Sequence, residues 1–166
     1  MIKKILRWYT IPNIVRGMLI YSAGDTVACL IAGNFSISRF AGMVLVGGII
    51  YAAEIPNYFN WINKKVADNK KTIDQIKRTL LAIVYFNPLW IARHLLFINI
   101  FTGNYSSIEF GLLHIGLLSF AFNIPVSLTA NWVIQNYINA KYRFIASAGF
   151  SALMAIYYSL SEVIFR

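Results

Sequence analysis

TLLAIVYFNPLWIARHLLFINIF, residues 79–101, is the stretch that decides the fold class of this chain. It runs for 23 residues with Arg93 and His94 as its only basic side chains, and it contains no acidic residue. An α-helix rises 1.5 Å per residue, so ~20 residues cross the hydrocarbon core of a bilayer, which is roughly 30 Å thick. The stretch is therefore predicted to be a membrane-spanning helix.

Further apolar stretches of similar length lie on both sides of it, at 14–33, 41–62, 109–135 and 144–165. All five are predicted to be helices, because unpaired backbone groups cannot face lipid and the alternation of a membrane β-barrel is missing. The expected fold is all-α: a polytopic integral membrane bundle of four to five hydrophobic helices, kinked by proline, in one membrane-embedded domain over 1–166.

The fourth stretch leaves the number of crossings open. Asn123, Pro125 and Asn131 interrupt it, and proline kinks or ends a helix. It is either one kinked span or a surface helix followed by a shorter span.

Composition excludes most soluble classes. Hydrophobic residues make up 58% of the 166 residues and charged residues 13%, against about 45–50% and 25% in soluble domains. Cys29 is the single cysteine, which excludes a disulfide framework and a multi-cysteine metal site. With only His94 and His114 as histidines, neither a metal nor a cofactor is predicted.

The positions of the basic residues predict five crossings with the N-terminus on the positive side. If all five stretches cross, eleven of the Lys and Arg residues fall on one side: Lys3, Lys4, Arg7, Lys64, Lys65, Lys70, Lys71, Lys77, Arg78, Lys141 and Arg143. The other side receives Arg39 and Arg166, while Arg16 and Arg93 lie inside hydrophobic stretches. An excess of basic residues in short loops marks the side that was not translocated.

A net charge of +9 is assigned to lipid rather than to nucleic acid. The basic residues are spread over alternate membrane-flanking loops, where anionic headgroups attract each by about 1 kcal/mol. Residues 63–78 are predicted to form a basic amphipathic helix resting on the headgroups, with a site for a protein partner as the alternative.

Ionisable residues inside the apolar stretches are the candidate functional residues: Asp25, Glu54, Arg93 and His94. Each costs about 2.5–3.5 kcal/mol at mid-membrane on insertion scales, so each is expected to be paired or to face water. One interpretation is a polar path through the bundle, lined by Asp25 and Glu54, with Arg93 as a charge gate or a counter-ion. The alternative is a structural Glu54–Arg93 or Asp25–Arg pair that sets the helix register.

Small residues predict where helices touch. In the last stretch they recur every four residues, at Ser147, Ser151, Ala155 and Ser159, and such a face permits close approach of backbones. A looser equivalent lies in the second stretch at Gly42, Gly47, Gly48 and Ala52. These faces are expected to pack within the bundle or between copies of it, as a homo-oligomer or with a partner in a membrane complex.

The prolines are expected to kink the helices that contain them. Pro12 precedes the first stretch, while Pro56, Pro88 and Pro125 lie inside the second, third and fourth. Asn87 beside Pro88, and Asn123 with Thr129 near Pro125, are expected to bond to backbone groups that the prolines release.

No enzyme is predicted. The chain contains no GxSxG, Walker or HExxH motif, and no histidine lies near Cys29 in the sequence.

The order of landmarks resembles the Mpv-seventeen and peroxisomal membrane protein twenty-two family over nearly the whole chain. Gly24-Asp25 and Ala28 match its G-D-x-x-A-Q, with Cys29 in place of glutamine, while Ala82 and Ile83 stand where its third stretch carries Asp-Gln. The other matching positions are Pro56, Trp61, Arg78, Pro88, Pro125, Asn131, Trp132, Tyr142-Arg143, Tyr157 and Ser159. The chain is similar to this family as a divergent member.

The resemblance implies four membrane spans, no enzyme activity, and a channel or metabolite-permeability role in the mitochondrial inner membrane, or secondly the peroxisomal membrane. A basic N-terminus without acidic residues, with Lys3, Lys4 and Arg7, also suits a mitochondrial address. The alternative is a non-conducting membrane scaffold or accessory subunit of a membrane complex. A secretory-pathway transporter, marked by glycosylation at Asn34 or Asn104, ranks last.

Overall fold

Helices account for nearly all of the chain that the structure describes, and no strand occurs in that part. The structure is a computed structural model that describes residues 9–67, 71–138 and 140–165, with the side chains of 135, 136, 140–145, 147 and 148 outside this description. In chain order the helices are α1 (Ile11–Ala32), α2 (Ile37–Leu45), a π-helical segment (Val46–Tyr51), α3 (Ala52–Lys65), α4 (Thr72–Tyr85), α5 (Pro88–Thr102), a 3₁₀ turn (Tyr105–Ser107), α6 (Gly111–Asn136) and α7 (Ala140–Phe165).

Four segments are long and apolar enough to cross a membrane: Ile11–Ala32, Ile37–Lys65, Thr72–Thr102 and Gly111–Ile134. A shorter apolar segment, Gly149–Phe165, belongs to α7. The predicted all-α fold with four to five hydrophobic helices is therefore confirmed.

The first two spans form an antiparallel hairpin. α1 ends at Gly33, whose φ of 68° is the left-handed conformation that glycine adopts freely. α2 begins after Ser36, whose hydroxyl accepts a hydrogen bond from the Arg39 backbone N–H at 3.5 Å. Because this helix begins at Ile37, four residues before the predicted stretch 41–62, it includes Arg39.

The third stretch is two helices rather than the single helix expected over 79–101. α4 ends at Tyr85 and Pro88 opens α5, where its missing N–H does no harm. Asn87 caps the new helix: its Oδ1 accepts from the Trp90 N–H at 3.0 Å, and its Nδ2 donates to the Val84 carbonyl at 3.2 Å. Pro88 thus starts a helix instead of kinking one, and Asn87 bonds to the backbone as expected.

The fourth stretch is a single helix, α6, which contains Pro125. The missing N–H of Pro125 leaves the carbonyl of Ala121 without its helical partner. The Thr129 hydroxyl donates to the Pro125 carbonyl at 2.8 Å and Asn123 Nδ2 donates to the Tyr158 hydroxyl at 2.8 Å, so the bonds described for these two side chains go to other groups. Of the two alternatives, a surface helix followed by a shorter span is wrong.

The expected surface helix over 63–78 is also wrong in the described residues. α3 continues to Lys65, and α4 begins at Thr72 and runs on into the third stretch. Residues 68–70 lie outside the description. In α4, Ile73 is 55% exposed, so an apolar side chain still faces outward among the charges there.

α7 packs against α1, α5 and α6, which places it inside the bundle. Ala155 lies beside Gly24, where a Cβ added to the glycine would come within 2.5 Å of the Ala155 methyl group. Two of the predicted small residues, Ala155 and Ser159, therefore pack within this bundle, while the Ser147 side chain is outside the description.

Candidate functional site

A cavity of about 470 Å³ lies among the helices and is only partly enclosed. All five predicted hydrophobic stretches contribute to its wall, through α1, the end of the π-helical segment, α3, α4, α5, α6 and α7. Because every stretch contributes, the cavity is a property of the whole bundle and not of one helix pair.

One end of the cavity is lined by aromatic side chains. Asn13 and Asn63 mark the opposite end. Each of the five stretches has an aromatic residue as the lining residue farthest from that end. We call these residues the aromatic floor: Tyr21, Tyr51, Trp90, Phe120 and Tyr158. The ring centroids of Tyr21 and Tyr51 are 4.4 Å apart, and those of Tyr51 and Trp90 are 5.0 Å apart. Trp90 is 5% exposed, so it is a core residue and not part of an interfacial belt.

His94 supports this floor from behind and does not line the cavity. It is fully buried and stacks on Trp90 with an interplanar angle of 7°. Its Nδ1 is hydrogen-bonded to the Tyr51 hydroxyl at 3.0 Å, and its Nε2 lies 3.3 Å from the Ser159 hydroxyl. The imidazole therefore holds one floor residue in place and ties α7 to α5.

Asp25 does not line the cavity, contrary to the polar-path interpretation. It is 1% exposed and forms a buried ion pair with Arg39: Nη2 donates to Oδ1 at 2.6 Å and Nε to Oδ2 at 2.9 Å. The charge count had placed Arg39 in a loop, but α2 begins early enough to include it. Cys29, one turn along α1, places its thiol 3.8 Å from Oδ2 of Asp25. The pair joins α1 to α2.

Glu54 and Arg93 form the second ion pair, and they too lie outside the cavity wall. The pair is bidentate, with Nη1–Oε1 at 2.9 Å and Nη2–Oε2 at 2.6 Å, and it joins α3 to α5. Tyr85 donates its hydroxyl proton to Glu54 at 3.2 Å. The side chains of Arg93 and Glu54 are 33% and 38% exposed. The arrangement matches the alternative in which these residues set the helix register.

The opposite end of the cavity is polar. It lies where α1 and α4 begin and α3 and α6 end, and its wall there contains the residues that we call the polar mouth: Asn13, Arg16, Asn63, Arg78 and Asn131. Arg16 Nη1 donates to Asn13 Oδ1 at 2.9 Å. Arg78 Nη1 donates to Asn63 Oδ1 at 3.1 Å, and its Nη2 donates to the Val66 carbonyl at 2.8 Å.

Sequence reasoning did not identify either end of the cavity. From the sequence, Arg16 is only a charge inside a hydrophobic stretch, and Arg78 belongs to the connection between the second and third stretches. The sequence carries two signals for these ends of the cavity. Each of the five stretches has an aromatic residue near its centre. Arg16 has Asn13 three residues before it, and Arg78 follows the helix that carries Asn63. Only packing shows that these residues meet.

The predicted small-residue face is divided between the cavity and the helix contacts. Ser151 and Ala155 line the cavity, and Ser159 bonds to His94. Within the described chain, no three His, Cys, Asp or Glu side chains come together in a group that could hold a metal ion.

No protein-family model, curated protein or solved structure matches the chain.

Proposed function

We propose that this chain is an integral membrane protein that forms a pathway for small solutes, with the cavity as its vestibule and the aromatic floor as its gate. The observation that carries the proposal is the cavity wall, to which every hydrophobic stretch contributes and which ends in five aromatic side chains. Its volume, about 470 Å³, lies in the range of small-molecule sites, roughly 300–1,000 Å³.

In this proposal the vestibule opens on the side that the basic loops mark as not translocated. Lys64 and Lys65 end α3 beside the polar mouth, and Lys71 and Lys77 flank the start of α4. The proposed resting state has a closed floor, and the packing of neighbouring floor rings supports it: their centroids lie 4.4 Å apart for Tyr21 and Tyr51 and 5.0 Å apart for Tyr51 and Trp90. Opening requires rotation of floor side chains such as Tyr51, which stands at the end of the π-helical segment; such segments often occur at functional sites.

Conductance in planar bilayers tests this function, with the full chain compared with Tyr51→Ala. Removing a floor ring is expected to raise the open probability several-fold, because the opening no longer requires that side chain to rotate. Tyr105→Ala is the matched control, since Tyr105 is 67% exposed in the 3₁₀ turn and outside the cavity wall. Silent bilayers for both the parent and Tyr51→Ala, with insertion demonstrated, would overturn the proposal.

We place the protein in the mitochondrial inner membrane, with the peroxisomal membrane second, as a divergent member of the Mpv-seventeen and peroxisomal membrane protein twenty-two family. The matching residues and the basic N-terminus support this assignment. Tagged full chain is expected in carbonate-resistant mitochondrial membranes. Glycosylation at Asn34 or Asn104, which follow the last residues of α1 and α5 at the same end of the bundle, would contradict it.

The second candidate is a non-conducting scaffold or accessory subunit, and the Glu54–Arg93 pair favours it. The pair keeps a third of its side-chain surface exposed although it lies outside the cavity. A partner helix that buried it would gain charge-assisted hydrogen bonds. In native gels, Arg93→Gln is expected to dissociate such a complex, whereas the exchanged pair Glu54→Arg with Arg93→Glu retains the ion pair and tests whether orientation matters.

A further inference from the structure

An asparagine and a tyrosine on facing helices form a hydrogen-bonded pair in the wall of the cavity. Asn123 on α6 donates from Nδ2 to the hydroxyl oxygen of Tyr158 on α7 at 2.8 Å. Both residues line the cavity, and they are 5% and 2% exposed. We call them the Asn123–Tyr158 pair. At this point the cavity is bounded by polar atoms and not by hydrocarbon.

The pair leaves a donor and an acceptor unused. A phenol hydroxyl both donates and accepts, and a primary amide has a carbonyl acceptor beside its N–H donors. Within the part of the chain that the structure describes, the Tyr158 hydroxyl proton has no acceptor and Asn123 Oδ1 has no donor. If the amide turned over, the tyrosine would donate to the asparagine, and the pair would still offer one donor and one acceptor.

These unused groups are not needed to hold the two helices together. The hydroxyl oxygens of Ser119 and Ser161 lie 2.7 Å apart and tie α6 to α7 one turn away. Burying a donor or an acceptor without a partner is unfavourable, and buried tyrosine hydroxyls usually find one. A molecule in the cavity that supplies both partners is therefore favoured at the pair.

Aromatic packing fixes the position of the Tyr158 ring. Its centroid lies 5.6 Å from that of Trp90, with an edge contact at 63°, and 6.5 Å from that of Phe86, with the planes at 22°. A side chain that is fixed before binding loses less conformational entropy when a ligand arrives. The hydroxyl is thus held in place at the edge of the aromatic floor.

The wall around the pair is uncharged. On the same two helices, the neighbouring lining residues are Phe120, Ile124, Ser127, Met154 and Ala155. An ionised group placed among these residues would lose its hydration without gaining an opposite charge from them. A ligand that fits here has an uncharged polar group on an apolar body.

We infer that the cavity binds an uncharged apolar alcohol, whose hydroxyl donates to Asn123 Oδ1 and accepts from the Tyr158 hydroxyl. A hydroxyl suits the pair because it donates and accepts through one atom, whereas an ether or a ketone only accepts. The apolar body lies along the wall between the pair and the polar mouth. This ligand class rests on the proposed function, since the site is the same cavity.

Binding of radiolabelled decanol to the full chain in phosphatidylcholine nanodiscs tests the inference, with decyl methyl ether and decane as analogues. Empty nanodiscs are subtracted, and each affinity is expressed against the concentration of the compound in the lipid. Decanol is expected to bind about fivefold more tightly than the ether, and the ether about fivefold more tightly than decane, the effect of one hydrogen bond at each step. Equal affinities for the three compounds would overturn the inference and assign the unused groups to ordered water.

The double variant Asn123→Leu with Tyr158→Phe tests the site itself. Replacing both partners by apolar side chains leaves neither of them buried without its partner. The variant is expected to lose the preference for decanol and to keep decane binding within about twofold. Thr129→Val is the matched control, because it removes a hydroxyl from an exposed position of α6 outside the cavity wall. An intact preference in the double variant, or an equal loss in Thr129→Val, would overturn the inference.

A cavity-filling variant tests the position of the apolar body. Ala82→Leu narrows the cavity from α4 and leaves the Asn123–Tyr158 pair unchanged. It is expected to weaken decanol and decane alike while helical content is preserved. Decanol binding unaffected by Ala82→Leu would overturn the placement of the ligand in this cavity.

Nanodiscs that contain dioleoylglycerol separate the two sources of the alcohol. Displacement of decanol identifies a membrane lipid with a free hydroxyl, and unchanged decanol binding identifies a soluble alcohol. Alcohol selectivity without solute flux would reject the pathway and keep the site. Solute flux with no preference for decanol over decane would reject the site and keep the pathway.

Discussion

Gly17 and Gly47 meet where α1 crosses the π-helical segment, so closely that a Cβ added to either would collide with the carbonyl oxygen of the other. Asp25 and Arg39 face each other in the same antiparallel register of the two spans. They pair closer to the connection between α1 and α2. This crossing brings the backbones of the first two spans together four residues before Tyr51, which ends the π-helical segment.

Alanine at Gly17 is expected to destabilise the protein by about 1–3 kcal/mol, the usual cost of overpacking, because the methyl group meets backbone that cannot move aside. Gly149→Ala is the control, since nothing lies within 4 Å of a Cβ added there and alanine favours a helix. Thermal denaturation in detergent measures both. Equal stability of the two variants would contradict the close crossing.

Asp25→Asn is expected to cost about 3–5 kcal/mol, because it leaves the Arg39 guanidinium buried without its counter-charge. In any surviving conductance the ion selectivity is expected to stay unchanged, since Asp25 does not line the cavity. The double variant Asp25→Asn with Arg39→Gln should recover part of the loss. A change in selectivity without a loss of stability would restore Asp25 as a lining acid.

His94→Phe is expected to keep the stacking on Trp90 and to lose both hydrogen bonds that the imidazole makes. The stability loss is about 1–3 kcal/mol, the cost of leaving a buried polar group unsatisfied. Because Tyr51 loses its hydrogen bond to His94, the leak current through the aromatic floor is expected to increase in the planar-bilayer assay. Tyr51→Phe removes the same hydrogen bond from the other side and should give the same direction of change.

Asn87→Ala is expected to destabilise the protein by about 0.5–2 kcal/mol through loss of the α5 cap. Asn87→Asp retains the acceptor oxygen and should restore most of that stability. Denaturation midpoints of the three proteins check the order. An Asp variant as unstable as the Ala variant would show that the Nδ2 bond to Val84 matters more than the cap.

Local features of the fold could be predicted because they depend on residues close together in the sequence. The positions of the apolar stretches and the bonding of Asn87 beside Pro88 follow from composition and spacing. The sequence could not distinguish a helix break before Pro88 from a kink at Pro88, since Asn87 can bond to the released backbone groups in either case. The apolar run at 41–62 leaves Arg39 in a loop, whereas α2 begins at Ile37, before that run, and includes Arg39.

The sequence by itself determined that this is a bundle of apolar helices, because the free energy of transferring a segment into lipid is nearly a sum over its own residues. It also restricted each ionisable group in the apolar stretches to being paired or facing water. Only the tertiary structure decided the choice: Asp25 pairs with Arg39 and Glu54 pairs with Arg93. Partner choice depends on the rotation and register of helices relative to one another, and that is set by contacts between distant residues such as Gly17 and Gly47.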